Sequence, residues 1–259
     1  MHVSAEALGS KSARELLQAG ADEVLMPCIN SLEEAIDKAA RSGGHVTVHT
    51  PANRVADRDK TCEQLRAAGV SSVLVVSGNP GHGTNIPALG ELIHFFREQG
   101  FHVSVGAYPE AYFRRTSAHH RARSATTLLG KQSAGAQRVI TQASFSADNM
   151  RKWLATVRTR GLRLPVQVGV MQQVPGRMLA KVADNARAEI FAEPGMQAFS
   201  KENMDMLFRM LWSHVPHPED FITEVGALVQ MDHRDGFHLF GYGADVSDLI
   251  ATARSAGDS

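Results

Sequence analysis

A chain of 259 residues with 27 basic and 27 acidic side chains has no net charge, so nothing in its composition points to nucleic acid or an anionic membrane. Two cysteines, Cys28 and Cys62, stand in no metal-ligand or redox spacing, and no stretch approaches the ~18 uninterrupted apolar residues a span requires. No positive segment leads into an apolar run at the start, so the expectation is a cytoplasmic enzyme without a signal peptide. Its core, burying roughly 70–75% of the unfolded surface, needs no metal or disulfide staple.

In chain order, short apolar runs alternate with amphipathic segments. Strands are expected at His2–Glu6, Glu23–Pro27, His45–His49, Ser72–Val76, His102–Ala107, Arg138–Gln142, Pro165–Val170 and Gly236–Phe240. Helices are expected at Ser31–Arg41, Asp57–Ala68, Ile86–Gln99, Ala118–Ala134, Ala147–Arg160 and Gly176–Ala186. Ser31 and Ser146 stand where N-caps belong, and Gly20, Gly43, Gly69, Gly100, Gly135 and Gly161 stand where the chain must turn back. The rhythm breaks between Arg187 and Asp235, where Met-rich helical segments read as core packing. The pattern predicts α/β architecture: a single TIM-type (βα)8 barrel domain over residues 1–259, with extra helices after the seventh strand. An open doubly wound sheet is the alternative.

A βα barrel keeps its chemistry at the carboxyl ends of its strands, which singles out a few residues. Glu6 ends the first expected strand and His49 the third; a solvated Glu and a hydrogen-bonded structural His are the plain alternatives. Gly78-Asn79-Pro80-Gly81-His82-Gly83 follows the fourth. Such a loop can offer backbone N–H groups to a phosphate, but no Gly-Lys-Ser/Thr follows and the dinucleotide fingerprint is incomplete. The Arg-rich segment 114–123 could hold an anion or simply be a solvated face, and the adjacent His119 and His120 point to different helix faces, a poor metal site.

The run from Val103 to Gln172 contains VSVGAYPEAY, LLGKQSAGAQRVITQASF and GLRLPVQVGVMQ. With weaker echoes in VSAE, HVTVHT, VVSGNPG and GFHLFGYG, it resembles the methylenetetrahydrofolate reductase family. The family's fold is a βα barrel, in agreement with the count of strands and helices. The resemblance implies reduction of methylenetetrahydrofolate to methyltetrahydrofolate by hydride from NAD(P)H. It implies that Glu6 helps activate the substrate as an iminium ion and that Gln142 contacts the pterin, with Tyr108 and Asn79 as further substrate-side candidates. His49, Tyr108 and Lys131 match flavin-contacting positions, and Gly78 belongs to the loop that could meet a cofactor phosphate.

Where the family has charged or hydrogen-bonding flavin contacts, this chain has Ser77, Asn79, Tyr112, Ser124, Thr127 and Gly130. Each lost charged hydrogen bond is worth about 1.5–3 kcal/mol, so three lower affinity about a thousandfold or more. The expectation is a flavin-independent branch without tightly bound FAD, in which hydride passes directly from NAD(P)H to the folate. An FAD-dependent reductase with a rebuilt site, a methyltetrahydrofolate-oxidising enzyme of one-carbon catabolism, and a folate-binding protein without catalysis stay open. So does assembly into a homo-oligomer. No metal, nucleic-acid or membrane partner is expected beside the tetrahydrofolate-type substrate.

Overall fold

The computed structural model describes residues 1–7, 12–77, 89–109, 127–144, 146–172, 217–230, 235–241 and 245–258. Eight parallel strands close on themselves in sequence order: β1 (His2–Glu6), β2 (Glu23–Met26), β3 (Val46–Pro51), β4 (Ser72–Val76), β5 (His102–Ala107), β6 (Arg138–Ala143), β7 (Val166–Met171) and β8 (Gly236–Phe240). The barrel shuts where β1 pairs with β8, Ser4 lying opposite His238. The described helices are α1 (Ala13–Gln18), α2 (Leu32–Ser42), α3 (Arg58–Ala67), α4 (Leu89–Glu98), α5 (Ala147–Thr159), α6 (Pro218–Gln230) and α7 (Ser247–Asp258). A further helical segment covers 127–133. The closed order excludes the open doubly wound sheet.

Two-residue alternation along each strand separates two environments. Val3, Val24, Val48, Val73, Val105, Val139 and Val168 belong to the core that includes Leu16, Ile36, Leu65, Phe96, Trp153, Ile222 and Leu249 from the helices. The alternate positions carry Ser4, Glu23, Thr47, Ser72, Ser104, Arg138, Gln167 and His238, all buried. Such a polar interior must satisfy itself. Arg138 of β6 reaches Glu23 of β2, on the opposite wall, through Nη1–Oε2 at 2.5 Å and Nη2–Oε1 at 3.0 Å, and donates from Nε to Ser104 Oγ at 2.9 Å. Thr47 adds contacts to Glu23 and Ser72. Burial alone would raise the Glu23 carboxyl, but the charge and hydrogen bonds of Arg138, with help from Thr47, hold it down at about 2. A pinned polar floor therefore fills the amino-terminal half of the barrel and leaves the carboxyl end for chemistry.

The helices start where the sequence supplies acceptors for orphan amides. Ser31 Oγ accepts from the Glu34 amide, Asp57 from those of Asp59 and Lys60, and Ser146 from that of Asn149. All six glycines read as turning points have positive φ. β3 corrects the expected strand: it runs from Val46 to Pro51, because Thr50 and Pro51 still pair with Val75 and Val76 of β4. Pro51 has no N–H to donate to the ladder, and the strand ends with it. His49 is thus inside the strand and two residues short of its end. α1, α7 and the 3-10 turn Ala52–Arg54 were not among the expected elements. The expected helix at 176–186, the Met-rich segment at 201–215 and the first part of the helix at 118–134 lie outside the described residues.

Candidate active site

A cavity of about 460 Å³ opens at the carboxyl ends of the strands, within the ~300–1,000 Å³ range of small-molecule sites. Glu6, His49, Tyr108 and Gln142 all line it. Leu25, Leu74 and Ile140 form its apolar floor as a small cluster separate from the outer core. Ile29 and Tyr108 are the exposed large apolar side chains among the described residues, and both stand on the cavity wall. Large apolar groups left in water at a cavity rim suit a ligand that covers them.

Glu6 closes β1 with 7% of its surface exposed, and its Oε2 has no hydrogen-bond partner among the described residues. Burial pushes its carboxyl up to about 8, so it holds a proton at neutral pH. Burial acts in the opposite direction on His49, lowering its imidazole to about 4 and leaving it neutral. The wall therefore carries an uncharged acid and an uncharged base.

Gln142 reaches the cavity through an irregularity in β6. The β6–β7 register shifts between Ile140 and Ala143, and Ile140, Thr141 and Gln142 in succession all line the cavity. Gly169 of β7 makes room for this: a Cβ there would lie 2.6 Å from the Thr141 carbonyl oxygen and 2.7 Å from that of Gln142. The Thr141 hydroxyl accepts from the Gly169 amide at 2.7 Å, locking the two strands at that point.

Lys131 is not in the wall. Its Nζ donates to the Gly106 carbonyl at 2.7 Å, and Gly106 lines the cavity; burial lowers the ammonium to about 8. Lys131 thus braces β5 from behind. Gly78, Asn79 and the segment 114–123 lie outside the described residues.

Several wall residues escaped the sequence reading. His238 of β8 is fully buried, lines the cavity, and stacks edge-on against Phe240 with ring centroids 4.5 Å apart. Burial is the main cause that pushes its imidazole down to about 3. Its neighbours Phe237 and Leu239 belong to the outer core, so the alternation of β8 turns the imidazole to the barrel interior. Asn53 and Arg54 enter from the 3-10 turn after β3, which no periodicity announces. Among the described residues no group of three or more His, Cys, Asp or Glu could hold a metal, and no helix is long and apolar enough to cross a membrane.

The site's residues lie on a chain with known relatives. Its sequence is 29% identical over 143 residues to a probable NADPH-type methylenetetrahydrofolate reductase of Caenorhabditis elegans, and 26% identical over 152 residues to NADH-type methylenetetrahydrofolate reductase 1 of Arabidopsis thaliana. Each match takes in 52% of this chain but only 21% and 26% of those proteins. Among solved structures, an uncharacterized Clostridium thermocellum protein that binds two copies of 5-methyl-5,6,7,8-tetrahydrofolic acid superposes with a TM-score of 0.65. That match covers 99% of this chain and 94% of that one at 10% identity, a likeness of fold. The family profile described as methylenetetrahydrofolate reductase matches residues 37–196, which hold β3 to β7, the irregular β6 and Gln142. This chain belongs to the methylenetetrahydrofolate reductase family.

Proposed function

We propose that the cavity binds a tetrahydrofolate-type substrate and reduces methylenetetrahydrofolate to methyltetrahydrofolate, hydride passing directly from NAD(P)H without tightly held flavin. The observation that carries this reading is Glu6: a buried, proton-bearing carboxyl with an unmet oxygen in the wall of the strand-end cavity. Opening the substrate's five-membered ring requires an acid. The Glu6 proton goes to the departing ring nitrogen, the C–N electron pair leaves with that nitrogen, and the methylene carbon becomes an iminium ion. Glu6, now a carboxylate, is the counter-ion to that cation. One preorganised contact of this kind is worth about 3–4 kcal/mol at the transition state.

The neutral state of His49 suits the same chemistry, since a cation beside the iminium would oppose its formation. Gln142 offers a donor and an acceptor in one plane, which matches a pterin edge. When bound, the nicotinamide supplies the hydride that converts the iminium carbon to a methyl group.

A flavin held in the family's usual way fits this wall poorly. Arg54 is the one Lys or Arg among the described lining residues, Lys131 is engaged by Gly106, and Ser77 stands uncharged in the wall. The placement of His49 and Tyr108 in the wall favours a second reading, an FAD-dependent enzyme with replacement contacts. Visible absorbance separates the two. The proposed branch yields colourless protein that oxidises NADH with methylenetetrahydrofolate and gains nothing from added FAD; yellow protein with stoichiometric flavin overturns it.

A further inference from the structure

We infer that His238 is a substrate-positioning residue, its unpartnered Nε2 accepting a hydrogen bond from an N–H of the bound pterin. The inference rests on the folate reading above and adds to it a residue that fixes how the ring system sits.

Ser4 Oγ donates to Gln167 Oε1 at 3.0 Å and lies 2.8 Å from His238 Nδ1. A hydroxyl has one proton, and here it is given to Gln167. With the Gln167 amide oxygen toward Ser4, the hydrogen in the Ser4–His238 contact comes from Nδ1, which leaves Nε2 as a bare lone pair. That nitrogen is buried and has no partner among the described residues. An imidazole placed only for packing would not leave a buried acceptor unmet.

The unmet atom has a counterpart. Glu6 Oε2, on the neighbouring strand β1, is also buried without a partner, and both residues line the one cavity. With Glu6 protonated and His238 neutral, one wall presents a donor and an acceptor of fixed sense. A reduced pterin carries ring N–H groups beside ring nitrogen and carbonyl acceptors, so a single ligand can answer both. The edge-on Phe240 ring and the Ser4 bond hold the imidazole plane, so the lone pair keeps its aim. Sites built around a hydrogen bond of this kind discriminate strongly against analogues lacking the donor.

The test uses two amide variants and the untouched protein. His238→Asn keeps an amide near Nδ1 for Ser4 and removes the acceptor on the cavity side; His238→Gln carries an amide out to the Nε2 position. Affinity for 5-methyltetrahydrofolate, KM for methylenetetrahydrofolate, KM for NADH and Tm are measured on all three proteins. The expected result is a loss of about tenfold or more in folate affinity for His238→Asn, a matching rise in folate KM, an unchanged NADH KM, and recovery of most of the loss in His238→Gln. In 15N-labelled wild-type protein, the unprotonated His238 Nε2 resonance should move upfield when 5-methyltetrahydrofolate is added, a reading that requires no variant to fold. Wild-type protein that binds the folate with that resonance unmoved, or a folded His238→Asn that binds it equally well, overturns the inference and leaves the folate reading standing. Wild-type protein that binds no folate overturns both.

Discussion

Glu6 is held in its protonated state by burial alone. An ordinary carboxyl ionises near 4.5, whereas burial moves this one to about 8. Between those values the folded chain keeps a proton that the unfolded chain has released. Its contribution is complete below about 4.5 and is lost as pH rises through about 8, at ~1.4 kcal/mol per unit of separation. Glu6→Gln should therefore raise Tm at pH 8 and leave it nearly unchanged at pH 4, while lowering kcat by about 10²–10³-fold with methyltetrahydrofolate still bound. An equal Tm change at both pH values would contradict the assignment. In wild-type protein kcat/KM should fall tenfold per unit above about pH 8, as the acid form disappears; a rate that climbs through that range would contradict it.

β6 and β7 show how an element positions a side chain. Gln142 faces the cavity because β6 departs from regular pairing, and that departure needs the bare backbone of Gly169. Gly169→Ala should cost about 1–3 kcal/mol through overpacking and raise the folate KM more than that for NADH. An unchanged melting temperature would refute this account of the irregularity. The elements themselves were largely legible from the sequence: β3, β4, β5 and β7 are short Val-rich runs, and α2, α3 and α5 are each bounded by a capping Ser or Asp and a positive-φ Gly. Glu6 was legible as a carboxylate at a strand's carboxyl end, and Gln142 through the family resemblance of the run that holds it. His238 was missed because its strand reads as uniformly buried, and its direction follows only once β1 is known to pair with β8. Gly169 looked like one glycine among many, since a close backbone approach leaves no mark in the sequence.

At the scale of the whole barrel, the Glu23–Arg138 pair ties opposite walls together beneath the cavity. Removing one partner strands a buried charge, so Arg138→Met should cost about 3–5 kcal/mol and lower Tm sharply; a small change would show the pair to be dispensable. Because the Glu23 carboxyl is depressed to about 2, its contribution is present above about 4.5 and drains away as pH falls through 2, a window opposite to that of Glu6. The pair thus makes the floor rigid beneath a mouth where hydride transfer to the folate is proposed. The most direct measurement is the isotopic content of product made by flavin-free protein from methylenetetrahydrofolate and NADH deuterated at the transferred position. Direct transfer predicts one deuterium in the new methyl group without added FAD; no product until FAD is supplied, or a methyl group carrying solvent hydrogen instead, would contradict the account.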